Sequence, residues 1–221
     1  MTRLRFLFFF ALALLMSQVA LAQGGYGYGY GHDWSKVAFN VGAGVNVPVG
    51  TGSDFLTPGW TFNAGGGFKP DRHLSLGLDF NYDHWKLNSR ALGTFDVPAG
   101  HTNVWSLTFN PTYNFYPRSK VDFYTTAGYG LYHRNLVFTQ PVLQNVITCD
   151  PFFGFCFNQT ETVNQVLAQF GTYKGGFNVG GGFSFRLGES PFKFYTEARY
   201  HQMFNSGTDM KFIPITFGIR W

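Results

Sequence analysis

The sequence predicts an all-β protein, a single antiparallel barrel of eight strands that crosses a membrane. Two observations lead to this prediction: large apolar residues alternate with small or polar ones in eight segments, and the connections between these segments are alternately long and short. The 221 residues include 28 Gly, 27 Phe, 12 Tyr and 5 Trp, while only 13% are charged. Disordered chains are rich in charge and poor in aromatic residues, so this composition excludes that class.

The eight segments show the period of two that successive side chains on opposite faces of a strand produce. The last segment is the clearest, because every second residue is large and apolar and the residues between are small, polar or basic. The predicted strands are Val37–Val49, Trp60–Lys69, His73–Asp83, Asn103–Tyr116, Val121–His133, Tyr173–Leu187, Phe192–Met203 and Met210–Trp221.

The non-apolar face of most predicted strands consists mainly of Gly, Ser, Thr and Asn. A water-soluble barrel turns its apolar face inward and carries charge outside. Small polar side chains instead suit the narrow lumen of an eight-stranded barrel whose aromatic face contacts lipid. A soluble periplasmic barrel around an apolar ligand remains an alternative, and it predicts the opposite orientation of the two faces.

The connections after strands two, four and six are short, whereas those after strands one, three, five and seven are longer. Outer-membrane barrels have short periplasmic turns and long external loops, so we expect the odd-numbered connections to lie outside. The third external loop runs from about His133 to Thr172, and the stretch Thr160–Phe170 within it also alternates. This alternation allows strands five and six to continue beyond the membrane as a protruding hairpin, and a ten-stranded barrel with such a hairpin after strand five is the structural alternative.

Residues 1–22 have the pattern of a secretory signal peptide, with a basic start, an apolar run from Phe6 to Met16, and small side chains at Ala20 and Ala22. The apolar run is too short to cross a bilayer as a helix. We expect export and cleavage at this point. A flexible Gly/Tyr-rich linker over residues 23–36 and the barrel over residues 37–221 would follow.

Export places the only two cysteines, Cys149 and Cys156, in an oxidising compartment. A disulfide closing a small loop is the prediction, and two free thiols remain the alternative because the sequence does not show whether their Cβ atoms face each other. A metal site is not expected, since two thiols lack further ligands at a suitable spacing.

The signal peptide, the eight strands, the loop asymmetry and the final aromatic residue together resemble the small, porin-like outer-membrane β-barrels of the OmpA/OmpX type. The resemblance implies the outer membrane of a Gram-negative-type bacterium, with outer-membrane lipid around the barrel. It also implies that the barrel-assembly machinery reads the last strand. Since no residues follow it, the peptidoglycan-binding domain of some members is not expected. The assembly signal would consist of Ile213, Ile215, Phe217, Ile219 and Trp221.

Charged side chains lie on or near the predicted inner faces of several strands. Because an unpaired buried charge is costly, we expect them to form a network of internal salt bridges. A conduction path is the alternative, although side chains generally fill the interior of an eight-stranded barrel. The predicted network consists of Asp79, Asp83, Arg186, Lys193, Glu197, Arg199 and Arg220.

The third external loop contains four phenylalanines, Phe152, Phe153, Phe155 and Phe157, beside or between the cysteines. Exposed apolar patches often mark contact sites, so these residues are candidates for binding a host, neighbouring-cell or envelope partner. In the alternative interpretation, the rings pack on the barrel rim or enter the lipid headgroups.

The sequence thus predicts a structural or surface-interaction barrel without catalysis, cofactor or metal. Nucleic acid is not an expected partner, because the net charge is only +4 and no basic run is present. A narrow channel for ions or small solutes is one alternative. The other is a lipid-modifying enzyme, for which His84, Asp83 and Ser89 are the nearest candidates for a catalytic group.

Overall fold

A computed structural model describes residues 36–150, 153–186, 188, 190–205, 207 and 209–221. Eight antiparallel strands form a closed barrel in which neighbours along the chain pair and the first strand also pairs with the last. The eight-stranded prediction is confirmed and the ten-stranded alternative is wrong. The strands are β1 Val37–Val49, β2 Gly59–Phe68, β3 Leu74–Lys86, β4 Ala99–Asn114, β5 Val121–Cys149, β6 Cys156–Arg186, β7 Lys193–Met203 and β8 Met210–Arg220.

The predicted signal peptide and the linker up to residue 35 lie outside the described residues.

The fifth and sixth strands differ most from the prediction, because they do not end at His133 and begin again at Tyr173. They stay paired as far as Cys149 and Cys156, with one register shift between Phe138 and Thr139. Most of the expected loop is therefore a β-hairpin. Its strands continue because cross-strand pairs of β-branched and apolar residues, such as Val142 opposite Val163, support pairing beyond the barrel.

The orientation of the two faces is the one expected in lipid. Asn46 and Thr108 on the inner face are fully buried, whereas Leu78 and Leu107 on the outer face are 54% and 46% exposed. The alternative of a soluble barrel required apolar side chains inside, and that orientation is wrong for most of the lumen.

The two ends of the barrel differ, and we call them the turn end and the loop end. The turn end holds the start of β1, the end of β8 and the connections 69–73, 115–120 and 187–192. The loop end holds the connections 50–58, 87–98 and 204–209 and the β5–β6 hairpin. The connection 204–209, which follows β7, is no longer than the turns 115–120 and 187–192. The predicted difference in length between external loops and turns is therefore absent after β7.

Aromatic rings form a belt on the outer face near each end, as is typical where barrels meet the lipid headgroups. At the turn end, the rings of Trp221 and Phe39 lie 5.7 Å apart, and those of Tyr113 and Phe115 lie 5.2 Å apart. On β4, nine residues from Trp105 to Tyr113 inclusive run from one belt to the other, which suits a transmembrane β-strand. The belt at the loop end contains Trp60, Tyr82, His84, His101, Trp105, His133 and Tyr173.

A short helix, α1 (Ser89–Phe95), caps the loop end and has no counterpart in the sequence prediction. The Asn88 side chain accepts a hydrogen bond from the Ala91 N–H, and Asp96 ends the helix in the left-handed conformation with φ of 51°. The connection 50–58 contains a single 3₁₀ turn. In the described part of the chain, no helix is long and apolar enough to cross a bilayer.

The narrow lumen predicts that Gly180→Ala will destabilise the barrel. A Cβ at Gly180 would overlap the carbonyl oxygen of Ala198 and approach the Cα of Arg199 to 2.7 Å. Overpacking of this kind typically costs about 1–3 kcal/mol. Urea unfolding in detergent micelles measures the effect. The control is Gly93→Ala in α1, where a Cβ meets nothing within 4 Å. Equal stability of the two variants would contradict the prediction.

Candidate functional site

The centre of the lumen is an ion-paired cluster around Arg199. Its Nη1 lies 2.8 Å from Oδ2 of Asp79, and its Nε lies 2.7 Å from Oε1 of Glu197. All three residues are at most 5% exposed. Paired charges of this kind satisfy each other where water is excluded, whereas any one of them alone would be costly to bury.

Arg220 extends this cluster toward the turn end. Its Nη2 lies 4.0 Å from Oε2 of Glu197, and its guanidinium carbon lies 4.2 Å from the ring centre of Tyr124 and 5.1 Å from that of Tyr195. The two aromatic faces stabilise the cation where only one carboxylate is near. Within the cluster, two carboxylates therefore balance two guanidinium groups.

Asparagine side chains complete the hydrogen bonding of Asp79. The Nδ2 groups of Asn40 and Asn110 donate to its two carboxylate oxygens at 3.1 and 2.7 Å. Asn63 donates to Oδ1 of Asn40 at 3.3 Å and accepts from the Tyr195 hydroxyl at 3.0 Å. The sequence prediction did not include these partners in the network. These residues occupy inner-face positions of their strands, so the alternation along each strand could have identified them.

The structure does not bring together all seven residues predicted for the network. Asp79, Glu197, Arg199 and Arg220 form the central cluster described above. Asp83 lies nearer the loop end, where it accepts a hydrogen bond from Asn46 Nδ2 at 2.6 Å. The other two, Arg186 and Lys193, lie at the turn end, and Arg186 donates to the Pro117 carbonyl oxygen at 3.3 Å.

Between Asp83 and the loop end, the lumen is filled by an apolar cluster. Its members come from five strands and are at most 6% exposed. The Tyr132 hydroxyl and His201 Nδ1 share a hydrogen bond of 3.0 Å beside it, and the His201 ring stacks on Phe212. Together with the ion-paired cluster, these side chains fill the lumen from Arg199 to the loop end. The apolar cluster consists of Trp85, Val104, Tyr132, Met203, Met210 and Phe212.

The residues considered for an enzymatic role do not converge. Asp83 points into the lumen, whereas the next residue, His84, lies in the outer aromatic belt and hydrogen-bonds Asn103 at 2.6 Å. Ser89 begins helix α1. Adjacent residues of a strand point to opposite faces, which is the physical reason for this separation.

The β5–β6 hairpin projects beyond the aromatic belt of the loop end. β4 pairs with β5 only as far as Thr139, and β7 pairs with β6 only from Gly176. Beyond these residues each hairpin strand pairs only with the other, among the described residues. Between Asn135 and Tyr173 only Asp150 and Glu161 are charged. The hairpin therefore combines two open strand edges with very little charge.

The tip of the hairpin is closed by the disulfide between Cys149 and Cys156, so the predicted bond is present. Phe153 and Phe155 are 75% and 58% exposed, and their rings stack 6.0 Å apart. Phe157 is also exposed. The remaining candidate, Phe152, lies outside the described residues.

The residues proposed as an assembly signal occupy the outer face of β8 and its end. Phe217 is 59% exposed, and Trp221 contacts the rings of Phe39 and Phe192 at the turn end. Ile213, Ile215 and Ile219 share the face of Phe217. Recognition of this strand by the assembly machinery stays a prediction.

The central cluster predicts that Arg199→Met will strongly destabilise the barrel. This change leaves Asp79 and Glu197 buried without their closest cation, and breaking one partner of a buried pair costs roughly 3–5 kcal/mol. The matched control is Arg90→Met, because Arg90 pairs with Asp54 on the exposed surface and such pairs contribute about 0–1 kcal/mol. Urea unfolding in micelles compares the two. If Arg199→Met lowers the free energy of unfolding no more than Arg90→Met does, the assignment of Arg199 to a stabilising buried ion-paired cluster is contradicted.

No protein-family model and no curated protein matches the sequence. Solved structures with a similar fold include the Neisserial surface protein A, at 15% identity and a TM-score of 0.52 over 83% of this chain and 95% of that one. Ail of Yersinia pestis is 13% identical, with a TM-score of 0.46 over 84% and 98% of the two chains. The N-terminal barrel of OprF from Pseudomonas aeruginosa is 14% identical, with a TM-score of 0.41 over 84% and 98%.

The likeness to the Neisserial protein shows a shared fold. The outward-facing apolar surface and the two aromatic belts agree with a barrel that crosses a membrane. The chain therefore has the fold of the small eight-stranded outer-membrane β-barrels of the OmpA/OmpX type.

Proposed function

We propose that this protein is a surface-interaction barrel of the bacterial outer membrane and that its β5–β6 hairpin binds the partner. The turn end faces the periplasm and the loop end faces the outside, as short turns and long loops do in such barrels. Export by the signal peptide over residues 1–22 and assembly through the last strand, Ile213–Trp221, belong to the same proposal.

The observation that carries the proposal is the open edge of a long, almost uncharged hairpin beyond the membrane belt. Natural proteins usually protect exposed strand edges with charge, proline or short length, because an open edge pairs readily with another chain. Here the edge of β6 is open from Cys156 to Lys174 and carries one acidic residue, Glu161, and one basic residue, Lys174. An extended segment of a partner protein can add to this edge through backbone hydrogen bonds.

Exposed apolar side chains on the same hairpin supply the second part of the contact. Leu143 and Ile147 on β5 are 76% and 72% exposed, and Phe153 at the tip is 75% exposed. These residues lie beyond the aromatic belt, where lipid does not cover them. An apolar surface that faces water is typical of an interaction site.

The filled lumen favours this function over a channel. The ion-paired cluster around Arg199 and the apolar cluster around Trp85 occupy successive levels of the barrel, so a solute would have to displace both. The separation of Asp83 and His84 onto opposite faces likewise gives no support to an outer-membrane lipid-modifying enzyme.

Shortening the hairpin tests the proposal directly. Gln140 and Gln165 are opposite each other in the register, so an Asn-Gly turn joining them removes residues 141–164 and leaves the barrel strands intact. We expect the variant to fold, with mobility on an unboiled detergent gel that changes on boiling. Attachment of expressing cells to neighbouring bacteria, to host cells or to envelope fractions should be lost. Undiminished attachment to every surface would contradict the proposal.

The tip is tested separately with Phe153→Ser and Phe155→Ser in one protein. Removing two exposed rings takes apolar contact area from the interface while leaving the barrel stable, so attachment should fall severalfold. Asn158→Ser, also exposed on the hairpin, is the control and should bind like the wild type. If the double variant attaches as well as this control, the phenylalanines are not part of the contact.

A further inference from the structure

The turn end of the barrel contains a cavity of about 810 Å³, on the opposite side of the molecule from the hairpin. Its walls come from most of the strands and from the turns 69–73 and 115–120, and Arg199 and Asp79 form its floor. The volume lies within the range of small-molecule sites. This cavity takes no part in the function proposed above.

Positive charge dominates the walls of the cavity. Seven cationic side chains line it, against the carboxylates of Asp79 and Asp122. Asp79 is already paired with Arg199, and Asp122 Oδ1 accepts a hydrogen bond from the Tyr116 N–H at 2.8 Å. Nearby Asp71 accepts hydrogen bonds from backbone N–H groups of its own turn, which lower its pKa and keep it anionic. The charge of Asp122 also acts on Lys193. Two wall carboxylates against seven wall cations still leave the wall strongly positive.

Three of the cations stand in one row across neighbouring strands. Arg186 on β6 is opposite Lys193 on β7, and Lys193 is opposite Arg220 on β8. Their positions in the alternation direct all three to the inner face. Like charges directly opposite each other destabilise a sheet unless a counter-charge lies between them.

Most of the wall cations have no carboxylate at ion-pair distance. Among the described residues, only Arg199 and Arg220 of the seven have a carboxylate oxygen within 4.0 Å. Burial, followed by the nearby charges of Lys193 and Arg220, lowers the pKa of Lys69 at the rim. A bound anion would relieve this repulsion. The unpaired cations are Lys69, Arg72, Arg118, Arg186 and Lys193.

We propose that this cavity is an anion site that binds a phosphate group. Guanidinium forks match the paired oxygens of phosphate, and the lysines add point charges from the rim. The phosphate can belong to a small soluble ion or to the headgroup of a phospholipid in the adjoining leaflet. The aromatic belt residues Phe39 and Trp221 also line the cavity, so its wall reaches the level of the headgroups.

The test uses the full barrel in micelles of a maltoside detergent, which contains no phosphate. One arm titrates inorganic phosphate and follows binding by calorimetry. The other arm adds phosphatidylglycerol to the micelles and counts retained lipid by native mass spectrometry. Binding in the first arm identifies a soluble phosphate, and retention in the second identifies a headgroup. The proposal is overturned when neither arm shows binding.

Two double variants distinguish a specific binding site from a general effect of the protein's positive charge. Lys69→Gln with Lys193→Gln removes two wall cations, and Lys86→Gln with Arg90→Gln removes the same charge from the loop end. We expect the first pair to weaken binding about tenfold or more, the loss typical for charge-assisted hydrogen bonds, and the second to leave it unchanged. Equal weakening by both pairs would overturn the proposal.

Folding of each variant is checked by its change in gel mobility on boiling. If the first pair does not assemble, the double variant Arg72→Gln with Arg118→Gln replaces it. Both of these residues line the same cavity but lie in turns between strands. This pair should show the same loss of binding, and unchanged binding would count against the site.

Discussion

The fold depends on the closure of the sheet between β1 and β8. In hydrocarbon no water is available to pair with a free backbone N–H or C=O, so a sheet that crosses a membrane must have no open edge. Ten register pairs, from Asn40 opposite Arg220 to Val49 opposite Lys211, provide that closure. With only eight strands the resulting lumen is narrow. Positions such as Gly180 therefore admit no side chain beyond hydrogen.

The narrow lumen also determines how charge is buried. Arg199 can lie inside because Asp79 and Glu197 contact it directly and because the side-chain amides of Asn40 and Asn110 donate to the two carboxylate oxygens of Asp79. Toward the loop end the contents change to apolar side chains around Trp85. A lumen filled in this way leaves the two ends of the barrel as the surfaces at which we propose binding.

The two ends have opposite chemistry. The hairpin at the loop end is almost uncharged and presents open strand edges and phenylalanines, a surface suited to an extended polypeptide. The turn end presents unpaired lysines and arginines around a cavity, a surface suited to a small anion. The filled lumen separates the two surfaces, so a variant at one end leaves the contacts of the other end intact.

The sequence by itself determined the barrel, its eight strands and the orientation of their faces, because a period of two along each strand is a local property that the residues display directly. It also indicated the disulfide and the charged residues of the lumen. The tertiary structure decided which of those charges meet, because contacts such as Arg199 with Asp79 depend on the register and curvature of distant strands. The same holds for the full length of the hairpin, of which the local pattern showed only the alternation of Thr160–Phe170, and for helix α1, which no local pattern predicted. The cationic row of Arg186, Lys193 and Arg220 likewise exists only because three strands align, and no local pattern encodes that alignment.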